Sequence, residues 1–531
     1  MLATVRRTPS AAGRHLADRL KSGNTDRPAL ASAWLWLLVI LAVGLALRVV
    51  LIGRESLWLD EAVSWRFAHR SQHELWTQVL DTQPPLYYSL LRLWLVFGDS
   101  EAALRSLSVV FGVLAVLLTY VLGRQIANAW TGLIAAAIIA TSAMQLQFSQ
   151  EARSYELLTA ASLAASIGLV GVLQAHEAGR RPSVASCVMY VVGMLIALYA
   201  HNIALLLFGI AGLIGVVDVM WRRRLVSIAT WAVLSALVIV GWRHWFLVVW
   251  KQSTGGMPTL DWLKPPNLHA VLDVARSLYG QQFVLGLHPV IHLIYIPLAL
   301  VGAFLHRRAG LPVAYLLAAA FGIPLLEIVV SHLGRPVFMT RTVIWVVPFF
   351  FILVAMAFSR LRLPHGLLAT GLIIAIQLIG VKNYQQLTQK DPWRQTIQGV
   401  AARACPNDVM LLAPYTVLEA PFDYYFEQQS ISARLFSAYV GEHRLTDRPD
   451  NPFKFTNFSE PDEALLSAPR VWIFLEKSFA PDAARFIASL ASTHELRESL
   501  LMRHTTVELF EVPGTSCPRR SEKAVSAPEQ P

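Results

Sequence analysis

Residues 30–52 read LASAWLWLLVILAVGLALRVVLI, and Gly53-Arg-Glu55-Ser-Leu-Trp58-Leu-Asp60-Glu61 follows at once. A helix that crosses a bilayer needs about 20 mostly apolar residues, and the first run meets that length. The acidic pair then sits just outside the first crossing. Working outward, Leu157–Ala175, Leu225–Trp242 and Thr342–Phe358 are runs of the same kind. A soluble protein could bury one such helix in its core, but not several. Of the 531 residues, 55% are hydrophobic and 15% charged, against about 25% charged in an average soluble protein. The expected fold is therefore an all-α polytopic membrane protein.

About eleven spans are expected, near 30–52, 102–123, 131–148, 156–175, 184–201, 203–219, 225–247, 288–305, 311–331, 341–359 and 365–382. Basic residues favour cytoplasmic loops. Arg6, Arg7, Arg14, Arg19 and Lys21 precede the first span, and alternate loops carry Arg124, Arg180/Arg181, Arg222–Arg224, Arg307/Arg308 and Arg360/Arg362. This pattern puts the N-terminus in the cytoplasm and the C-terminus outside. It also accounts for the net charge of +10 without nucleic-acid binding. Met1–Arg27 with the apolar run after it reads as an uncleaved start, not a removed signal peptide.

Four regions follow: a cytoplasmic segment (1–29), a transmembrane domain (30–383), an outer α/β domain (384–513) and a disordered tail (514–531). The first outer loop runs from 53 to 101. Within it, Tyr87-Tyr-Ser-Leu-Leu-Arg-Leu-Trp94 reads as an amphipathic helix lying in the interface. A second long loop, 249–287, is punctuated by Gly255-Gly256 and Pro265-Pro266. Past Val381 the composition changes. Asp408–Ala413, Arg470–Glu476 and Thr506–Val512 read as strands, and Pro481–Ala491 as a helix. Cys405 and Cys517 fall in this outer region, where compartment allows a disulfide. Cys187 lies in an apolar run and reads as packing.

Asp60 and Glu61 lead the residues that could carry chemistry. Carboxylates beside an apolar interface lose solvation, which raises their pKa toward that of a general base. The alternative is a pair of ordinary interfacial charges. Arg153, in Gln147-Phe-Ser-Gln-Glu151-Ala-Arg153-Ser-Tyr155, has the planar fork that matches phosphate, or it pairs with Glu151 or Asp60. His201 either faces a phosphate or is a satisfied structural residue. His69 and His73 share the spacing of a cation-binding pair. Glu327 reads as the lone charge inside a span, with Arg335 and Arg341 as partners. Lys390-Asp-Pro-Trp-Arg394 reads as a docking element for the outer domain. Most of the 16 Trp residues belong to an aromatic belt; Trp58 and Trp65 flank the acidic pair and are sugar-stacking candidates.

These segments together resemble the protein O-mannosyltransferase-like glycosyltransferases, family 39 and its bacterial relatives. The resemblance lies in Leu59-Asp60-Glu61, Gln83-Pro-Pro-Leu-Tyr87-Tyr88, Gly98-Asp-Ser-Glu-Ala-Ala-Leu-Arg105, Phe148-Ser-Gln-Glu-Ala-Arg153-Ser-Tyr155 and Lys390-Asp-Pro-Trp-Arg394, in that order over roughly 34–400. It implies a GT-C fold and a polyprenyl-phosphate-linked sugar as donor. It also implies inversion at the sugar carbon, and an envelope lipid, glycan or protein as acceptor. By position Asp60 is then the base and Glu61 its support. Arg153, His201 and Arg341 become donor-phosphate ligands, and Trp58, Tyr87 and Tyr155 substrate contacts. Members of the family differ over a divalent cation, Mg or Mn, and the metal ligands stay unassigned. Phe338-Met-Thr-Arg341-Thr-Val departs from the family by lacking the aromatic that follows this Arg. The bacterial inner membrane is the implied location. A transporter or flippase would instead show several mid-membrane charges and related halves; a membrane scaffold would show no dependence on Asp60.

Overall fold

The computed structural model describes residues 30–77, 83–254, 263–278, 280, 294–334, 336–387, 389–429, 433–439, 454–458, 461–515 and 517. The N-terminal segment, Gly255-Gly256, Arg335 and the tail past Cys517 lie outside them. In chain order the principal helices are α1 (Leu30–Val49), α2 (Leu59–Ala68), α3 (Leu86–Trp94), α4 (Glu101–Ile126), α5 (Ala129–Thr141), α6 (Ala143–Ser149), α7 (Tyr155–Glu177), α8 (Val184–Ala200) and α9 (Ala204–Arg222). They continue as α10 (Leu225–Lys251), α11 (Tyr295–Leu305), α12 (Leu311–Leu333) and α13 (Thr340–Phe358). The last principal helices are α14 (Leu363–Gln386), α15 (Trp393–Arg403), α16 (Tyr415–Phe426) and α17 (Ala480–Ala491).

The chain is a multi-pass membrane protein. Among the described residues seven helices are long and apolar enough to cross a bilayer: α4, α7, α9, α10, α12, α13 and α14. The expected third span is a broken one, α5 and α6 meeting at 62°. The remaining expected spans near 30–52, 184–201 and 288–305 contain shorter apolar helices, Ala33–Val49, Val184–Ala200 and Tyr295–Leu305. Among the described residues, length and composition alone thus support seven of the roughly eleven expected spans, or eight with the broken pair. Helix α3 has nine residues, too short to cross. It buries Tyr87, Tyr88, Ser89 and Leu91 and exposes Leu93, the amphipathic pattern expected there.

The chain divides into two compact units. The first comprises the residues up to Ile52 with Ser71–Trp94 and Arg105–Leu387. Here α7 and α13 are the inner helices, 89% and 94% buried along their apolar windows, whereas α10 is 28% buried. Glycine lets the helices close: a Cβ at Gly168 would strike the backbone of Tyr190 and Ser186, and one at Gly302 the carbonyl of Leu353. Small residues at such crossings replace the hydrophobic drive that lipid removes.

The expectation that Glu327 is the lone charge in the membrane is overturned. Arg48 is fully buried at the end of α1. It donates to Ser149 Oγ (2.9 Å) and to the carbonyls of Gly44 (3.1 Å), Ala140 (3.0 Å) and Ile139 (3.2 Å). Ser149 Oγ also meets Glu156 Oε1 at 3.1 Å. On α9, Asp218 accepts from His176 Nδ1 (2.6 Å), Trp231 Nε1 (3.0 Å) and Arg222 Nε (2.6 Å). Each charge is tied to polar neighbours, as the low dielectric requires.

The second unit comprises Gly53–Arg70, Leu95–Leu104 and the chain from Thr388 on. Its sheet runs β3-β2-β1-β4-β6-β5, from β1 (Asp408–Ala413), β2 (Ala433–Tyr439), β3 (Lys454–Asn457), β4 (Arg470–Glu476), β5 (Glu495–Leu501) and β6 (Thr505–Glu511). The first four strands in that order pair in parallel; β6 and β5 are antiparallel. β1 is buried at every position, as an apolar strand covered on both faces must be. Val471, Ile473 and Leu475 of β4 pack with Phe486 and Leu490 of α17 on one face. On the other, Phe474 meets Trp393 of α15 (6.4 Å, stacked) and Phe422 of α16 (5.1 Å, edge-on). Cys405 and Cys517 are disulfide-bonded across a separation of 112 residues.

Candidate active site

In the second unit the acidic pair opens helix α2, where carboxylates favour the positive end of the helix. Trp58 is its N-cap residue in extended conformation. Asp60 is half-buried, and its backbone carbonyl accepts from Ser64 Oγ (2.9 Å). Glu61 is wholly buried and accepts from Lys390 Nζ at 2.8 Å. The Lys390–Arg394 motif fixes this region at several points. Gln389 N–H, just before it, donates to Glu55 Oε1 (2.6 Å). Arg394 N–H donates to Ser56 Oγ (3.1 Å), and its guanidinium holds Glu101 Oε1 (2.9 and 2.5 Å) and the Gly53 carbonyl (3.0 Å). Asp391 accepts from His504 N–H (3.0 Å) and Thr505 Oγ1 (3.3 Å) at the start of β6. The motif thus clasps the acidic loop and the sheet together.

Further along α2, Arg66 bridges Glu419 (3.1 Å) and Asp423 (2.7 Å) of α16. Burial pushes Asp423 up to about 7, against the pull of Arg66 and with Glu419 and Glu427 adding to the rise. Trp65 packs on His69 (5.0 Å) and edge-on against Tyr424 (5.1 Å) and is 8% exposed. It belongs to this core, not to a sugar-facing surface. Trp58 Nε1 is buried with no hydrogen-bond partner.

The membrane unit carries a second constellation. Arg153 sits in the turn between α6 and α7, His201 at the C-cap of α8 and Arg341 in the first turn of α13. Burial, then the charges of Arg153 and Arg341, hold the His201 imidazole down at about 3. The ring is therefore neutral, and the two guanidiniums are its electrostatic neighbours. His201 Nδ1 accepts from the Ile203 N–H (3.2 Å). The Tyr155 ring lies 6.0 Å from it, and Arg153 Nη1 donates to the Tyr88 hydroxyl (3.2 Å). Arg153, His201, Arg341 and Tyr155 come together as a group. Tyr87 is 1% exposed; its hydroxyl meets Ser108 Oγ (2.8 Å), which in turn donates to the Arg153 carbonyl (3.2 Å). Its neighbour Tyr88 is the residue that joins the group, with no sequence signal beyond membership of the same motif.

Arg341 is also braced from below. Glu327, fully buried in α12, accepts from Thr342 Oγ1 (2.8 Å). One turn on, Ser331 Oγ accepts from the N–H groups of Val337 (2.9 Å) and Phe338 (3.0 Å). Glu327 thus orders the turn before Arg341 and forms no ion pair with it, correcting the expected pairing.

Two cations around a neutral donor ring suit an anion, because charge-assisted bonds to phosphate are strongest where water is excluded. For a metal ion the fit is poor. Among the described residues no three His, Cys, Asp or Glu side chains gather to hold one, Glu61 is taken by Lys390, and His69 Nδ1 bonds the Trp65 carbonyl (2.9 Å).

No protein-family model matches the sequence, and no curated protein matches it. Solved structures do. ArnT from Cupriavidus metallidurans in the apo state superposes with a TM-score of 0.57 at 12% identity, over 91% of this chain and 98% of that one. The same protein bound to undecaprenyl phosphate gives 0.56 at 11% identity, over 89% and 98%. The chain has the GT-C fold. The Archaeoglobus fulgidus oligosaccharyltransferase complex with Zn and sulfate reaches 0.50 at 12% identity, over 89% of this chain and 72% of that one. At these identities the likeness is one of fold.

Proposed function

We propose that the protein is a membrane glycosyltransferase that moves a sugar from a polyprenyl-phosphate donor to an extracytoplasmic hydroxyl on a lipid, glycan or protein, with inversion. The observation that carries this reading is the gathering of Arg153 and Arg341 around the buried, neutral His201. Planar guanidiniums beside a neutral imidazole donor match the oxygens of a phosphate. A neighbour of the same fold is bound to undecaprenyl phosphate, which supports a lipid phosphate as that anion.

In the proposed reaction Asp60 accepts the proton of the acceptor hydroxyl. The oxygen attacks the anomeric carbon from the face opposite the phosphate. The bond from that carbon to the phosphate oxygen breaks, its electron pair leaving with the polyprenyl phosphate. Charge thus grows on the phosphate, where Arg153 and Arg341 stabilise it. Glu61 does not act directly; it secures helix α2 through Lys390. The alternating Arg-bearing loops support a cytoplasmic N-terminus in a bacterial inner membrane, and the Cys405–Cys517 bond supports an oxidising compartment for the second unit.

Asp60→Asn tests the reading. Positioned general bases contribute about 10²–10⁴-fold, so transfer of sugar in isolated membranes should fall by about 10³-fold while insertion and melting stay unchanged. Full activity in this variant would sink the assignment. A transporter, the reading that the in-membrane charges of Arg48, Glu156 and Asp218 favour, would keep moving its substrate.

A further inference from the structure

At the end of the membrane unit away from His201 there is a cavity of about 420 Å³, open to the surface of the helix bundle. It lies between α4, α7 and α8, and its lining includes Val121, Arg124, Ile167, Ala185, Ser186 and Met189. The walls are mainly apolar. The adjoining face of α8 is apolar and exposed at Val184, Val188 and Val192, which marks it as facing lipid in a multi-pass protein. The volume falls in the usual range of ligand pockets.

Arg124 is the exception in this lining. It is exposed, two residues from the end of α4, and among the described residues its guanidinium has no hydrogen-bond or ion-pair partner. With a rise of 1.5 Å per residue it stands roughly 29 Å along α4 from Arg105, about one hydrocarbon thickness. That places it at headgroup depth. Beside it, Gln125 Nε2 donates to the Ile167 carbonyl (3.3 Å) and to Gln174 Oε1 (3.4 Å), while Gln125 Oε1 is buried without a partner. The mouth therefore offers one cation and one acceptor above an apolar trough.

We propose that this groove binds an anionic phospholipid of the leaflet remote from His201. Arg124 holds the phosphate, Gln125 Oε1 accepts from a headgroup hydroxyl, and an acyl chain lies along Val121, Ile167 and Met189. Charge complementarity selects the occupant: an exposed guanidinium at headgroup depth attracts an anionic lipid, and the trough takes its chain. The site is separate from the proposed transfer chemistry and does not depend on it.

The test uses the full chain in detergent, with phosphatidylglycerol or phosphatidylcholine added, read by native mass spectrometry and by melting. The expected result is one tightly retained phosphatidylglycerol per chain and little retention of phosphatidylcholine. Arg124→Gln should weaken that retention roughly fivefold, the share of one cationic contact. Arg181→Gln, at an exposed Arg on the loop between α7 and α8, should leave it unchanged. Met189→Trp, which fills the trough, should remove retention without lowering the lipid-free melting temperature. Equal retention of both lipids, or an Arg124→Gln variant identical to wild type, would overturn the proposal. So would displacement of the bound lipid by added undecaprenyl phosphate, which would assign the groove to the donor.

Discussion

The two charged regions of this protein are built on opposite plans. Around helix α2 acids stand beside bases: Glu61 with Lys390, Glu101 with Arg394, Asp423 with Arg66. In the membrane unit, Arg153 and Arg341 both stand near one histidine, which they help keep neutral. Matched charges hold a fold in place. Guanidiniums set around a neutral donor ring suit an anion. The difference supports the proposal of a positioning part for the first region and phosphate recognition for the second.

Breaking a matched pair should have the largest effect. Lys390→Met leaves Glu61 buried without its cation, which costs about 3 kcal/mol. Melting of the purified protein should show it, and Lys390→Met with Glu61→Gln should recover most of the loss. No recovery would mean that Lys390 acts through packing. Thinning the gathered cations should do the converse. Arg153→Lys keeps the charge but loses the planar fork, so donor KM should rise about tenfold, the worth of one strong charged hydrogen bond, with melting unchanged. A stability loss instead would move Arg153 into the matched class. Glu327→Leu, which frees Thr342, should raise donor KM by a smaller factor, roughly threefold for one neutral hydrogen bond. Glu327→Gln should restore it.

Acidity should separate the regions most finely. Asp423 binds its proton more tightly folded than unfolded, so its contribution is fully present below the ordinary carboxylate pKa and is lost as pH rises through about 7. His201 runs the other way: its folded value near 3 makes its contribution complete above about 6.5 and lost as pH falls toward 3. Hydrogen exchange between pH 5 and 8 should therefore show the α2–α16 contact protected better in acid and the α8–α9 junction better in base. Asp423→Asn and His201→Gln should each flatten its own trend alone.

Much of this was legible in the sequence because the signals are long or ordered. Apolar runs announced the spans, and the strands at Asp408, Arg470 and Thr506 showed as short runs rich in apolar and β-branched residues. What stayed hidden depends on direction. β5 is an exposed edge strand carrying Glu495, Arg497 and Glu498, so it shows no apolar alternation. Tyr87 and Tyr88 are adjacent on one helix and about 100° apart, and nothing local says which one reaches Arg153. Trp65 reads as a surface aromatic until Tyr424, over 350 positions on, covers it. Arg48 and Glu156 vanish into the averages of their apolar windows, although their shared contacts with Ser149 tie three helices together.

One small bond at the end of α8 has a wider consequence. The Ile203 amide points its hydrogen at His201 Nδ1, so that nitrogen cannot carry a proton of its own, and in the neutral ring the proton resides on Nε2. The Nε2 edge of the imidazole is thereby committed to giving a hydrogen and is unable to receive one. A bare phosphate oxygen suits that edge, whereas a sugar hydroxyl must turn its lone pair inward to use it. Chemical choice among visiting groups is thus written into the backbone before any of them arrives.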